Sequence, residues 1–380
     1  MPIAPELPPP FIDQLRARAA RVPATAGLIA VNLAVFAAML VAGAGLWHTP
    51  NAVQLDWGAN FGPATKDGEW WRLATAPFLH FGLLHLTVNM AALLEGGRFV
   101  ERIAGPWRFL LLYFGAGLAG NLLSLAVQAD RAVSGGASGA IFGIYGALLV
   151  ALWRERRSLH PTEFRWLFWG AAGFTAANIL LGLMIPGIDQ GAHVGGLLFG
   201  TMAAVALDRG GLARRETSAS VRAAAAAVIG AGIAALVAHI PEPAYKWSEE
   251  QAARAEIRRF VGADADISAR WRAVLEQGQR EGLSFDELAA RIETQVAERY
   301  EASFEQLAAV HLDPRAPSTN TLASLKHYAG LRREASQILA DGLRSKDPAQ
   351  IRQGLALAQT ARTAAGAGAP PRPRGDTAGH

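Results

Sequence analysis

The chain has 380 residues, of which 51% are hydrophobic and 18% charged, and it contains no cysteine. The lack of cysteine excludes disulfides, thiolate metal sites and a cysteine nucleophile. Residues 1–244 hold 31 charged side chains, whereas the shorter segment 245–380 holds 37. This uneven distribution predicts a membrane domain followed by a soluble one. The net charge of +4 is small, and the basic residues follow membrane topology, so no nucleic-acid partner is expected.

The chain opens with a basic segment, residues 1–25, that we assign to the cytosol. It is followed by Ala26–Trp47, an apolar run of 22 residues. A positive flank before an apolar stretch is also typical of a signal peptide. This run is long enough to cross a bilayer and further apolar stretches follow it, so we interpret it as a retained first span.

Six further apolar stretches predict six more spans, and the fourth and sixth of the seven have the weakest hydropathy signal. Small residues recur in them, as expected where membrane helices pack closely. The stretches lie at residues 80–100, 107–128, 137–153, 166–185, 191–207 and 221–240.

The distribution of Lys and Arg predicts the orientation of these spans. With the N-terminus in the cytosol, the cytosolic segments hold 14 basic residues and the opposite loops hold 3, which agrees with the positive-inside rule. Seven spans then place the C-terminal domain on the outer side. The expected location is a bacterial inner membrane, although composition alone leaves an organelle open.

The first loop, residues 48–79, is unusually long and rich in tryptophan. Tryptophan favours the membrane interface, and we therefore interpret the loop as interfacial, the alternative being a plain exposed loop. The tryptophans in and beside it are Trp47, Trp57, Trp70 and Trp71.

Beyond Pro241 the pattern becomes that of soluble helices. Ser284 and Glu287 form a predicted capping box, and prolines near residue 315 separate one helical region from a second at 320–364. This domain shows no catalytic motif and its partner cannot be read from the sequence. The predicted division of the chain is a cytosolic segment, a membrane core, a linker with the seventh span, a soluble helical domain and a disordered tail, at residues 1–25, 26–208, 209–240, 241–364 and 365–380.

Three polar groups at the outer ends of spans could carry chemistry. The first is Ser138, which lies between Gly136 and Gly139 at the start of the fourth span. Glycines let a substrate approach closely, and a helix N-terminus offers free N–H groups to an oxyanion. Taken alone, the same motif also fits small-residue helix packing.

The second group is His193, which is followed by Gly196 and Gly200 in the sixth span. A GxxxG pattern allows tight packing against another glycine-lined helix, for which the fourth span is the natural partner. Ser138 and His193 would then lie at similar depth, as a nucleophile and its general base require. The alternative is a hydrogen-bonded packing histidine.

The third group is His85 and Asn89, four residues apart at the outer end of the second span and therefore on one helical face. Both side chains can donate hydrogen bonds to a tetrahedral oxyanion. The alternative is an interfacial histidine with an inter-helix asparagine contact.

With these residues in place, the chain resembles the rhomboid family of intramembrane serine proteases over about residues 65–208. Single motifs are weak, but their number and order make the resemblance specific. The matching residues are Trp71, Arg72, His80, His85, Asn89, the Gly97–Glu101–Gly105 pattern GxxxExxxG, the GxSG at Gly136–Gly139, Ala192, His193, Gly196 and Gly200.

The resemblance implies a six-helix core with one extra C-terminal transmembrane helix and a Ser138–His193 dyad without a third acidic member. His85, Asn89 and the Ser138 backbone N–H would hold the oxyanion, and Gly136 would support that site. His80, Trp71 and Arg72 would be structural, and Glu101 would stabilise the cytosolic end of the second and third helices. Substrates would be transmembrane helices cut near the outer face, and neither a metal nor a cofactor is implied.

One residue departs from the family pattern. The family commonly has a tyrosine four residues after the serine, packed on the catalytic histidine, where this chain has Phe142. A phenyl ring can still stack on His193, so we expect the orientation of the imidazole to survive.

Other membrane-protein classes fit less well. No His-Glu-x-x-His string occurs, as a metalloprotease would need, and the aspartates of the membrane region fall at span ends or in loops. The seventh span lacks the lysine of a retinal-type receptor, and no inverted repeat indicates a transporter. The alternative that stays open is a catalytically weak or inactive rhomboid-like protein that binds client transmembrane helices.

Overall fold

The computed structural model describes residues 9–128, 130, 132–185, 187–208 and 216–368. These residues divide into two compact units, the first ending at Pro243 and the second beginning at Ala244. Both are helical, and the described residues contain only two short strands. The prediction of an all-α membrane helix bundle is therefore confirmed.

The first unit contains long apolar helices joined by loops that carry shorter helices. Its elements are α1 (Phe11–Arg18), α2 (Pro23–Val41), α3 (Asn51–Asp56), β1 (Asn60–Phe61), α4 (Gly62–Lys66), α5 (Arg72–Thr75), a 3-10 turn (Ala76–Phe78), α6 (Leu83–Ala104), α7 (Pro106–Gln128), β2 (Val133–Ser134), α8 (Ser138–Glu155), α9 (Pro161–Met184), α10 (Gln190–Ala206) and α11 (Ala219–Ala238).

Seven of these helices, α2 and α6 to α11, follow the seven predicted apolar stretches in order. Length and apolarity alone qualify four of the described helices as spans, α2, α7, α9 and α11, or five if the bent pair of Arg72–Phe78 and α6 counts as one. Helices α8 and α10 have only 18 and 17 residues. Both are rich in glycine and packed against other helices. Small residues at such helix contacts take the place of the large apolar side chains that a lipid-facing helix carries.

The first span begins and ends earlier than predicted. Helix α2 starts at Pro23, where proline suits the first helical turn, and it ends before Gly43, whose φ of +94° is in the left-handed region. The segment before α2 contains α1, which packs on the bundle with Phe11 and Leu15 buried. The Phe11 N–H donates to the Glu163 carboxylate at 2.6 Å.

Helices α8 and α10 meet backbone to backbone through glycine. A Cβ atom at Gly196 would lie 1.9 Å from the carbonyl oxygen of Gly139, and one at Gly200 would lie 2.0 Å from that of Gly143. Only glycine permits this approach. The contact brings the first turns of the two helices together, and these turns carry Ser138 and His193.

Glu101 ties the end of α6 to the first span. Its carboxylate is 2% exposed and accepts hydrogen bonds from the Ala24 N–H at 2.9 Å and from the Thr25 N–H and O–H at 2.7 Å each. It therefore caps the N-terminus of α2. The bonds agree with the expected role at the end of the second helix, but they tie that end to the first span rather than to the third helix.

The second unit consists of α12 (Trp247–Glu281), α13 (Phe285–Ile292), a π-helical segment (Glu293–Ala297), α14 (Glu298–Ala308), α15 (Thr319–Ser345) and α16 (Pro348–Gly368). The capping box of Ser284 and Glu287 is confirmed.

The helical region predicted at 320–364 is two helices rather than one. The chain turns at Lys346, whose φ is +57°, and Pro348 begins the next helix, as proline at the first helical position favours. Helix α16 continues to Gly368, beyond the predicted start of the disordered tail, because alanine in this segment supports helix. The rest of the predicted tail, 369–380, lies outside the described residues.

Candidate active site

Ser138 and His193 are in direct contact. Ser138 is the first residue of α8, and His193 lies in the first turn of α10. The Ser138 Oγ and His193 Nε2 atoms are 2.9 Å apart. This is hydrogen-bonding distance, as a nucleophile and its general base require. His193 is 8% exposed, whereas Ser138 is partly exposed.

The His193 ring is oriented mainly by packing. It stacks on Phe142 with the ring centroids 4.3 Å apart and the planes 14° from parallel. Among the described residues, its Nδ1 atom is buried without a hydrogen-bond partner. A serine protease triad holds this atom with a carboxylate. Because no such bond is made here, the His193 imidazole is oriented by stacking on the Phe142 ring and by the position of α10.

Phe142→Tyr is expected to change turnover less than about tenfold, because a tyrosine ring offers the same stacking face and adds only a hydroxyl. The measurement is kcat on a single-span substrate in lipid vesicles, with wild type in parallel. A gain of several orders of magnitude would show that ring stacking alone does not orient His193.

His85 faces the same space from α6. The Phe81 N–H donates to its Nδ1 at 3.4 Å, which assigns the proton to Nε2 and makes that nitrogen a donor. A Cβ at Gly136 would lie 3.0 Å from this Nε2 and 3.8 Å from the Ser138 Oγ. Gly136 has a φ of +131°. It therefore suits only glycine and leaves a gap between the imidazole and the serine.

Asn89 lies one turn after His85 on the same face of α6 and is 5% exposed. Its Nδ2 donates to the His85 backbone oxygen at 2.8 Å. An asparagine amide has two N–H groups, so this bond fixes the side chain and leaves a second donor for a ligand.

His80 supports the site without contacting the Ser138–His193 pair. It is fully buried, and its ring centroid lies 5.1 Å from that of His85. Its backbone oxygen accepts a hydrogen bond from the Gln54 Nε2 at 2.8 Å. His80 therefore joins the first loop to the start of α6.

Arg72 is the centre of the first loop. Its guanidinium is buried and donates to the backbone oxygens of Leu55 at 2.7 Å and Ala59 at 3.1 Å, and it pairs with Glu69 at 2.5 Å. Trp71 stacks on the guanidinium at 4.8 Å and is half exposed. These contacts fold the loop, and none of them reaches Ser138 or His193.

The folded first loop is fastened to the segment that precedes Ser138. Strands β1 and β2 pair antiparallel, with Asn60 opposite Ser134. The Gly136 N–H donates to the Ala76 backbone oxygen at 2.9 Å, and Lys66 pairs with Asp130 at 2.9 Å. The sequence reasoning missed these ties, because each joins residues more than fifty positions apart and no local pattern marks them.

The fold and the site together define a helical membrane protein with a Ser–His pair between two helix N-termini. A family model described as a Rhomboid domain matches residues 67–209. The relative YdcA of Bacillus subtilis (strain 168) is 34% identical over 143 residues, which are 38% of this chain and 69% of that protein. The chain belongs to the rhomboid family, whose members are generally serine proteases.

Two other relatives show the range of the family. Rhomboid protease GluP of Bacillus subtilis (strain 168) is 39% identical over 150 residues, 40% of this chain and 28% of that protein. Inactive RHOMBOID-like protein 8 of Arabidopsis thaliana is 36% identical over 142 residues, 37% of this chain and 39% of that protein. The chain thus spans well under half the length of either relative.

Proposed function

We propose that this chain is an intramembrane serine endopeptidase that cleaves transmembrane-helix substrates near the outer membrane face. The observation that carries the proposal is the 2.9 Å contact between the Ser138 Oγ and the His193 Nε2 at the meeting N-termini of α8 and α10. Protease-named relatives in the same family support it.

In the proposed reaction the Ser138 Oγ attacks the scissile carbonyl carbon while His193 takes the hydroxyl proton. The resulting oxyanion accepts hydrogen bonds from the His85 Nε2–H, the Asn89 amide and the Ser138 backbone N–H at the start of α8. His193 then protonates the leaving amine, and an ester on Ser138 remains. Water then attacks the ester carbonyl carbon while giving a proton to His193. The bond from that carbon to the Ser138 Oγ breaks, the carboxylic acid leaves, and His193 returns the proton to the Oγ. The chemistry needs neither a metal nor a cofactor.

The substrate class follows from the place of the site in a membrane bundle. A peptide bond within a transmembrane helix is hydrogen-bonded and shielded by the turns around it. It becomes reachable when the helix unwinds locally, and helix-breaking residues such as glycine and proline lower the free energy of that step. We therefore propose transmembrane protein substrates, with the lipid bilayer as the medium and a water supply from the outer side.

The proposed topology has seven spans, a cytosolic N-terminus and the 241–364 domain on the outer side of a bacterial inner membrane. It rests on the excess of basic residues in the segments assigned to the cytosol. Within it, the first turns of α8 and α10, and hence Ser138 and His193, lie toward the outer face.

The test is cleavage of a panel of single-span substrates by purified protein in lipid vesicles, with Ser138→Ala beside wild type. We expect product from wild type alone, cut near the outer face, and labelling of wild type by a fluorophosphonate probe at Ser138. Product from Ser138→Ala would contradict the assigned nucleophile.

The second candidate function is a module that binds client transmembrane helices without cutting them. It is favoured by one observation, that a relative 36% identical over 142 residues is named inactive. A wild type that captures clients but gives no product, and whose Ser138 is not labelled by the probe, would support it. Loss of product with retained client binding in Ser138→Ala would support the protease.

A further inference from the structure

We propose that Asp189 is a positioning residue that holds His193 against Ser138. It would do so by capping α10 and fastening the first turn of that helix to α7. The inference rests on the proposed protease function and assigns the role to a residue that does not touch the reacting atoms.

Asp189 is the N-cap of α10. Its Oδ1 accepts a hydrogen bond from the Ala192 N–H at 2.9 Å, and its backbone oxygen accepts one from the His193 N–H at 3.2 Å. A capping carboxylate satisfies a free N–H of the first turn and favours the positive end of the helix dipole. The backbone of His193 is thus bonded directly to Asp189.

The same carboxylate is held by α7. The Ser124 Oγ donates to the Asp189 Oδ2 at 2.5 Å, and the Gln128 Nε2 donates to the Oδ1 at 3.2 Å. Ser124 is buried, with 3% of its surface exposed. Asp189 therefore links the start of α10 to two successive turns of α7.

Glycine makes this link rigid. A Cβ at Gly191 would lie 2.9 Å from the Ser124 Cα, and one at Gly120 would lie 2.5 Å from the Ala192 backbone oxygen. The two helices are thus in backbone contact immediately beside the Asp189 bonds. A shift of α10 along α7 would therefore break the Asp189 hydrogen bonds and, at the same time, disturb the backbone contact between the two helices.

His193 depends on this support because no hydrogen bond to its Nδ1, the ring nitrogen that does not face Ser138, orients the imidazole. Its Nδ1 has no partner among the described residues, and Phe142 fixes only one face of the ring. The distance from Nε2 to the Ser138 Oγ is then set by where the first turn of α10 lies. A displacement of about 1 Å between reacting groups can cost about a hundredfold in rate.

The experiment compares full-length variants in lipid vesicles by steady-state cleavage of one single-span substrate and by the rate of fluorophosphonate labelling of Ser138. Asp189→Ala is expected to lower kcat by about a hundredfold, to leave KM within about threefold, and to slow labelling in parallel, because the defect lies in activating Ser138. Asp189→Asn should recover most of kcat, since asparagine is an equally good N-cap.

Ser218→Ala is the matched control. Ser218 caps α11 by accepting the Val221 N–H at 3.4 Å, and α11 carries no residue of the candidate site. Removing this cap should leave kcat and labelling within about twofold of wild type, since the loss of one N-cap costs only about 1 kcal/mol of stability.

Two results would overturn the inference: wild-type kcat in Asp189→Ala, or a change confined to KM. If Asp189→Ala does not fold, the double variant Ser124→Ala with Gln128→Ala decides, because it keeps the cap and removes both side-chain bonds that tie Asp189 to α7. A drop of about tenfold in kcat would then support the role, and unchanged kcat would refute it. An active wild type beside an unimpaired Asp189→Ala refutes this inference alone, whereas a wild type that neither cleaves nor labels refutes the proposed function as well.

Discussion

His193→Ala is expected to lower kcat for cleavage in vesicles by at least about 10⁴-fold, while binding of client helices is retained. The expectation follows from the 2.9 Å contact, which places His193 Nε2 within hydrogen-bonding distance of the Ser138 hydroxyl. Removing a general base that acts as a unit with its nucleophile costs most of the rate. The measurement is the initial rate of product formation at saturating substrate.

Two comparisons sharpen this test. The double variant Ser138→Ala with His193→Ala should be no slower than either single variant, because residues that act together in one step are not additive. His239→Ala serves as the matched histidine control, because His239 is exposed at the end of α11 and its ring contacts the Ala235 backbone oxygen, away from the candidate site. A His193→Ala variant that keeps a tenth of wild-type kcat would rule out His193 as the general base.

Gly196→Ala is expected to destabilise the first unit by about 3 kcal/mol or more, with loss of cleavage. The added methyl group would lie 1.9 Å from the carbonyl oxygen of Gly139. Because that atom belongs to the backbone of α8, no side-chain rotation can relieve the clash, and the two helices must separate. The measurement is the unfolding midpoint of purified protein in detergent micelles, together with kcat.

Gly230→Ala provides the control for this substitution. It also lies within an apolar helix, α11, but a Cβ there meets nothing within 4 Å. Alanine should be neutral or stabilise the helix by up to about 1 kcal/mol. Equal unfolding midpoints for the two variants would refute the account of α8 and α10 as helices in backbone contact.

The sequence predicts the central part of the fold and site because that part depends on local signals. Helical apolar stretches, glycines at four-residue spacing and polar residues at helix starts can all be read within one segment. Matching the depth of two helix N-termini is then enough to predict that Ser138 and His193 meet. His85 and Asn89 follow in the same way from their spacing on one helix.

The contacts that the sequence does not predict join distant segments. Arg72 bonds to backbone oxygens of the first loop, and backbone acceptors carry no residue-specific signal. The Glu101 carboxylate accepts a hydrogen bond from Thr25 of α2, 76 positions earlier in the chain. Asp189 is one of the aspartates at span ends, where the sequence indicates no aspartyl protease chemistry, yet helix ends are where capping carboxylates act. The spacing of apolar residues likewise does not indicate backbone turns such as the one at Lys346.

In the proposed protease, the pairing of Ser138 with His193 also governs when reactivity can arise. The two residues are 55 positions apart, and the second belongs to a helix whose first turn is seated by Asp189 on α7 and by glycine on α8. A chain that has been synthesised only as far as α9 already contains the serine but lacks His193, the general base of the proposed reaction. Its hydroxyl is then as inert as that of any other serine in the nascent chain. A protease built this way would be harmless to its neighbours in the membrane until its own synthesis has passed α10.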